Sequence, residues 1–173
     1  MKNNSDESFV SSVNGKYYPL DDYSKSFAKI GYYSQENFDN LNATNFIIQA
    51  NVKIANQTTE NAFKSACGLV FEDQFSNYMI FLSLDGNTNY RINGGDGGSK
   101  YVDIALFQNP EGAKLTLIVN KNAFNFYVND KIVLSQISVY GGPFNIGTSV
   151  LSGTSEGFGT RCDFTEIVVW TMD

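Results

Sequence analysis

The 173-residue chain has no histidine, one tryptophan, three prolines and two cysteines. Without histidine there can be no His-based catalytic triad, no His-ligated zinc and no imidazole general base. Cys67 and Cys162 are too few to make a metal site by themselves. They leave two alternatives: a pair of buried thiols, or one disulfide in a secreted domain, which would ask for neighbouring strands. Arg91 and Arg161 are the only arginines, and the net charge is -6 with no basic run. Phosphate backbones need clustered Lys and Arg, so nucleic-acid binding is not expected. No apolar run approaches the ~20 residues that cross a bilayer, so no membrane insertion is expected. The opening MKNNSDES lacks an apolar h-region, and no signal peptide is read there. Helical periodicity is also missing. The best candidate, TTENAFKSA (58–66), is barely two turns and reads as a loop.

What is present points to β-structure. Apolar residues make up 42% of the chain and aromatics 14%, with 14 Phe and 10 Tyr. That is enough for a sizeable core and too apolar for disorder. FIIQANVKI (46–54) alternates cleanly, with Phe46, Ile48, Ala50, Val52 and Ile54 on one face and Gln49, Asn51 and Lys53 on the other. Strand-like runs follow at 67–73, 78–84, 89–93, 101–107, 114–120, 124–129, 131–137, 144–151 and 163–170. Links at Asn129-Asp130, Asn93–Ser99 and Lys121–Ala123 read as turns. The glycines of the second link read as a tight turn, or as a close backbone approach to a ligand. The expectation is an all-β, two-sheet antiparallel jelly-roll sandwich over 16–173, preceded by a flexible arm at 1–15.

Three segments in order carry a resemblance. NFIIQANVKI…GLVFEDQFSNYMIFLSLDG, LTLIVNKNAFNFYVNDKIV and FTEIVVW resemble the strands of concanavalin A-like (laminin-G-type) jelly rolls in bacterial carbohydrate-active proteins. Asp130 stands where that family's central hairpin usually has Gly. The resemblance spans roughly residues 40–171 and implies a sandwich whose concave face often binds glycans. Relatives include family 16 and 3-keto-disaccharide glycosidase-like domains, levan-binding modules and laminin-G domains. It also implies an extracellular, periplasmic or cell-surface setting. Structural calcium occurs in many such domains, and Asp/Asn-rich loops here could supply oxygens, but no ligand set is specified.

The catalytic signature of the glycosidases is missing. Their Glu-x-Asp-x-(x)-Glu strand sets nucleophile and acid on one face at period two, and this chain has no such string. Glu72-Asp73 are adjacent and diverge, and a regular strand would also diverge Asp163 and Glu166.

SLDGNTNYRING (83–94) admits a calcium loop or a hairpin. Tyr90 sits where a calcium loop of the helix–loop–helix kind needs Gly, which favours the hairpin. Matching faces requires an odd loop, Asp85-Gly86-Asn87, pairing Leu82 with Tyr90 and Phe81 with Arg91. The next strand then adds Tyr101 and Asp103, and CGLVFED turns Glu72 to the same side. Glu72, Phe81, Arg91, Tyr101 and Asp103 would form an aromatic, planar hydrogen-bonding surface of the kind that holds sugars. Cross-strand ion pairs and exposed aromatics are equally ordinary on a wet sheet face. The resulting expectation is a non-catalytic, lectin-like carbohydrate-binding module whose partner is a glycan or polysaccharide. A glycoside hydrolase using Glu72 and Asp103, and a structural adhesion module, are the alternatives.

Overall fold

The computed structural model describes residues 16–20, 26–28, 33–56, 65–83, 87–92, 95–101, 112–137, 139–151 and 160–172. Regular structure among them is entirely strand: β1 (Lys16–Leu20), β2 (Ser26–Ala28), β3 (Tyr33–Ala43), β4 (Phe46–Asn56), β5 (Ala66–Glu72), β6 (Asn77–Ser83), β7 (Asn87–Ile92), β8 (Gly95–Tyr101), β9 (Ala113–Asn120), β10 (Ala123–Val128), β11 (Lys131–Ile137), β12 (Phe144–Leu151) and β13 (Thr160–Thr171). One sheet runs β1-β13-β4-β9-β10-β11, with β2 also pairing β13, and the other runs β3-β12-β5-β6-β7-β8. All pairings are antiparallel. This is the expected jelly-roll sandwich.

The core follows from alternation. Phe46, Ile48, Ala50 and Val52 of β4, with Leu115, Leu117 and Val119 of β9, turn inward and are buried. They meet Leu69 and Phe71 of β5 and Ile80 and Leu82 of β6. Phe71 is the aromatic hub. It stacks on Tyr78 at 4.7 Å and meets Phe144, Phe46 and Phe124 edge-on at 5.1, 5.7 and 6.3 Å. Such pairs are worth about 0.5–1.5 kcal/mol each beyond area burial. The hub fixes the end of β5, whose next residue, Glu72, turns to the outer face.

Cys67 and Cys162 form a disulfide, which decides between the two alternatives. Their strands, β5 and β13, lie in different sheets, so the bond crosses the core instead of joining strand neighbours.

Two turns follow the sequence closely. The β9–β10 loop is Lys121-Asn122 and the β10–β11 loop is Asn129-Asp130. The latter has φ 49° and 65°, the double left-handed geometry that lets a two-residue hairpin match strand twist, and Asn and Asp tolerate it best after Gly.

Other expectations need correction. The glycine-rich segment expected as a turn is strand β8, whose main chain pairs with β7. Glycine removes side-chain periodicity but not backbone hydrogen bonding. β3, YSQENFDNLNA, is polar almost throughout and gives no period-two signal, yet it pairs with β12. In β13 the register shifts between Thr165 and Val168, with Glu166 at φ 51°. This bulge changes the alternation. Asn51 donates to Glu166 at 2.7 Å, and Asp163 pairs with Arg161 at 3.2 Å, so each carboxylate has a structural partner. The arm at 1–15 and Asp103 lie outside the described residues.

Candidate functional site

Register defines the outer face of the six-stranded sheet. One row crosses it as Asn42, Asn145, Glu72 and Asn77. The next runs Asn37, Gly147, Val70, Met79, Arg91 and Asp96. The third runs Gln35, Ser149, Gly68, Phe81, Asn89 and Ser99. The β6–β7 hairpin has the expected odd loop, but shifted by one residue. The strands leave 84–86 between them, and Leu82 pairs with Thr88 and Phe81 with Asn89. Arg91 therefore takes the register position opposite Met79 rather than Phe81. Tyr101 takes the position opposite Asn87 at the end of β8, and Arg91 is opposite Asp96. Neither position is opposite the other, as the expected strand at 101–107 would have had them.

Phe81 is on the expected face but is 0% exposed. It packs with Ala66, Val70, Met79 and Leu151. The cross-strand partner Gly68 leaves bare backbone, and the ring covers it: a Cβ there would meet Phe81 Cδ1 at 2.9 Å. Ring-over-glycine packing removes apolar surface from both strands. Phe81 is thus no open stacking platform. The sequence carried the signal, because ACGLVF and YMIFL are apolar at consecutive positions, the pattern of strands buried on both faces.

The polar end is built differently. Glu72 Oε1 accepts from Asn37 Nδ2 at 2.6 Å and Oε2 from Asn77 Nδ2 at 2.7 Å. Asn37 lies two strands away on β3, and its register partner Gly147 offers no side chain to block the reach across β12. Asn42 Nδ2 donates to Asn145 Oδ1 at 3.1 Å and to the Pro143 carbonyl at 3.4 Å. A carboxylate held by two amides has a fixed orientation and keeps lone pairs for further donors.

Beyond this row the β5–β6 turn meets the segment 139–143. Asp73 joins them. Its Oδ1 accepts from the Phe75 and Ser76 N–H groups at 2.8 Å each, and its Oδ2 accepts from Gly142 N–H at 2.8 Å. Burial pushes the Asp73 carboxyl upward, but the N–H bonds from Gly142, Phe75 and Ser76 together outweigh it and hold its pKa below the ordinary value. Gly141 has φ 103°, and a Cβ there would strike Asp73 Oδ2, so the close approach needs glycine. Tyr78 adds a second tie: its hydroxyl accepts from Tyr140 N–H at 2.9 Å and donates to the Tyr140 carbonyl at 3.2 Å.

The two segments enclose a cleft of about 300 Å³ lined by Asp73, Gln74, Phe75, Gly141, Gly142, Pro143 and Asn145. Phe75 is 76% exposed, and Tyr140, on the opposite segment, is 68% exposed. Asn145 belongs to both the cleft and the polar row. Of the residues gathered here, the sequence singled out Glu72 and did not single out Asn37, Asn77, Asn145, Asp73 or Phe75 as site residues. The Asp-Gln-Phe-Ser turn is a local signal for an Asp-capped turn. The Asp73–Gly142 and Asn37–Glu72 contacts join residues 69 and 35 apart and leave no local trace. Among the described residues no three His, Cys, Asp or Glu side chains group as a metal site.

No protein-family model matches the chain, and no curated protein matches it in sequence. Solved structures do. The carbohydrate-binding module CBM66 from Bacillus subtilis is 14% identical with a TM-score of 0.63, the match covering 92% of this chain and 93% of that one. The Bacillus licheniformis beta-glucanase is 11% identical with a TM-score of 0.59, covering 91% and 97%. The Aspergillus kawachii beta-fructofuranosidase complexed with glycerol is 12% identical with a TM-score of 0.61, covering 95% of this chain but 29% of that one. At these identities the likeness is one of architecture, and the chain has the concanavalin A-like jelly-roll fold.

Proposed function

We propose that this chain is a carbohydrate-binding module that holds a glycan on the polar end of the outer face of its six-stranded sheet. The observation that carries this reading is Glu72. Its carboxylate is clamped by Asn37 and Asn77, beside a cleft rimmed by an exposed aromatic. Vicinal hydroxyls donate to a fixed carboxylate and accept from carboxamides, while the C–H face of a sugar ring packs on an aromatic. Arg91 extends the surface through its register position opposite Met79, one row from Glu72 and Asn77; Tyr101, opposite Asn87, falls beyond the Phe81 row at the other end. The neighbours in fold include proteins named for carbohydrate binding and for sugar hydrolysis, and both classes handle glycans.

Binding without hydrolysis is favoured because retaining hydrolysis needs a second free carboxyl about 5–5.5 Å from the first. Among the described residues Asp73, adjacent to Glu72, turns both oxygens to backbone N–H groups; Asp103 lies outside them. The buried disulfide supports an extracellular, periplasmic or cell-surface setting, since such bonds persist in oxidising compartments. Affinity electrophoresis against plant, fungal and bacterial polysaccharides tests the reading. At least one polysaccharide retards the protein, and Glu72→Gln or Arg91→Ala weakens this about tenfold or more with Tm unchanged. No retardation by any polysaccharide refutes it, and shortening of the polysaccharide by the native protein but not by Glu72→Gln replaces it with hydrolysis.

A further inference from the structure

The cleft between the β5–β6 turn and the segment 139–143 has a chemistry of its own. At about 300 Å³ it lies at the lower end of ligand pockets, roughly 300–1,000 Å³, which suits a single sugar ring. Its wall carries Phe75, 76% exposed and the most exposed large hydrophobic side chain among the described residues. Such a ring standing in water beside fixed polar groups is suited to stack on a partly apolar, partly hydroxylated ligand. Asn145 lines the cleft, and with its Oδ1 engaged by Asn42 its Nδ2 is the atom left to donate to a ligand. Gln74, also lining the space, adds a second exposed amide.

Charge narrows the ligand. Among the described residues no Lys or Arg lines the cleft, and its one ionisable group is Asp73, with Glu72 next in the chain. An acidic sugar would bring its carboxylate against these two without a cation to compensate, whereas a neutral hexose or pentose meets no such penalty. Both Asp73 oxygens already accept from the Gly142, Phe75 and Ser76 N–H groups. Those bonds act on geometry: they hold both cleft walls in place before a ligand arrives, which lowers the cost of binding.

We infer that this cleft is a subsite for one neutral sugar unit, stacked on Phe75 and hydrogen-bonded by Asn145 and Gln74, at the end of the glycan surface that starts at Glu72. The inference rests on the glycan-binding reading above. The test uses the full chain and calorimetry or affinity electrophoresis with two sets of probes: neutral polysaccharides (a fructan, a β-glucan and a mannan) and acidic ones (alginate and polygalacturonate). A neutral probe binds, the acidic probes bind at least tenfold more weakly, and Phe75→Ala and Asn145→Ala each weaken the neutral probe about tenfold. Phe75→Tyr keeps most of the affinity. Both alanine sites are exposed, so Tm stays within a degree or two, which separates binding from folding. Neutral binding that survives both alanine changes overturns the subsite and leaves the glycan reading intact. Acidic probes that bind as well as neutral ones overturn the neutrality. Silence across both sets removes the glycan reading and this inference together.

Discussion

At one end of the outer face of the six-stranded sheet, Phe81 lies over Gly68 among Ala66, Val70 and Met79 and sees no solvent. At the other end of the same two strands, Glu72 and Asn77 form a part-buried polar pair. Both ends have the same backbone, parity and neighbours in the sheet. They differ in what the cross-strand rows bring together. The Phe81 row puts a glycine beside the ring, and the flanking rows add Ala66, Val70 and Met79, on which it collapses. The Glu72 row offers Asn77, which with Asn37 from the neighbouring row holds the carboxylate in place. A sheet face is not a uniform surface set by alternation alone; each row takes its character from all the strands that contribute to it.

The largest expected effect that separates the two ends is on stability. Phe81→Ala opens a cavity beneath a fully covered site and costs roughly 3–5 kcal/mol, read by denaturant unfolding. Glycan affinity changes less than about twofold if the ends are independent. A cost below about 1 kcal/mol would mean that the covered end is not packed as described.

Next comes the tie that borders the polar end. Asp73→Asn replaces one of the two carboxylate acceptors with a donor and costs about 1.5–3 kcal/mol, the usual range for bonds to charged groups. It also changes the acid limb. The folded pKa of Asp73 lies below its unfolded value, about 3.9, so the ionised form favours the folded state. Its contribution is full above the unfolded value and is lost as pH falls through it toward the folded pKa. The native protein therefore loses stability below about pH 5 more steeply than the Asp73→Asn variant, which stability measurements across pH 3–7 will resolve. Parallel curves would show that the turn does not depend on this charge.

The smallest stability effect belongs to Glu72→Gln. The site is partly exposed and a carboxamide keeps one acceptor, so unfolding shifts by less than about 1 kcal/mol. Its effect on glycan affinity is the large one. The covered end responds in stability and the polar end in binding; a variant that reversed these responses would break the distinction.

The strands most legible in the sequence are those with one wet face. The segments 46–54 and 114–120 fall within β4 and β9, and 124–129 matches β10 to within one residue. Their apolar residues recur at period two because one side meets the core. β3 and β8 escaped because their pairing is carried by the main chain, which polar residues and glycine support without leaving a hydrophobic pattern. For the site, Glu72 was legible because Leu69 and Phe71 claim the core and turn it outward. Its partners were not, because Asn37 and Asn77 are two asparagines in an asparagine-rich chain, selected only by strand order.

The sequence by itself determined the all-β class, the single alternating core, the two tight hairpin turns and the outward side of Glu72. These depend on local alternation and on residues that tolerate left-handed backbone. Tertiary structure alone decided that Cys67 reaches Cys162 across the sandwich, that Phe81 is covered, and that Asp73 joins its turn to Gly142. These depend on which distant strands become neighbours and on single-residue shifts of register, and no local pattern encodes either.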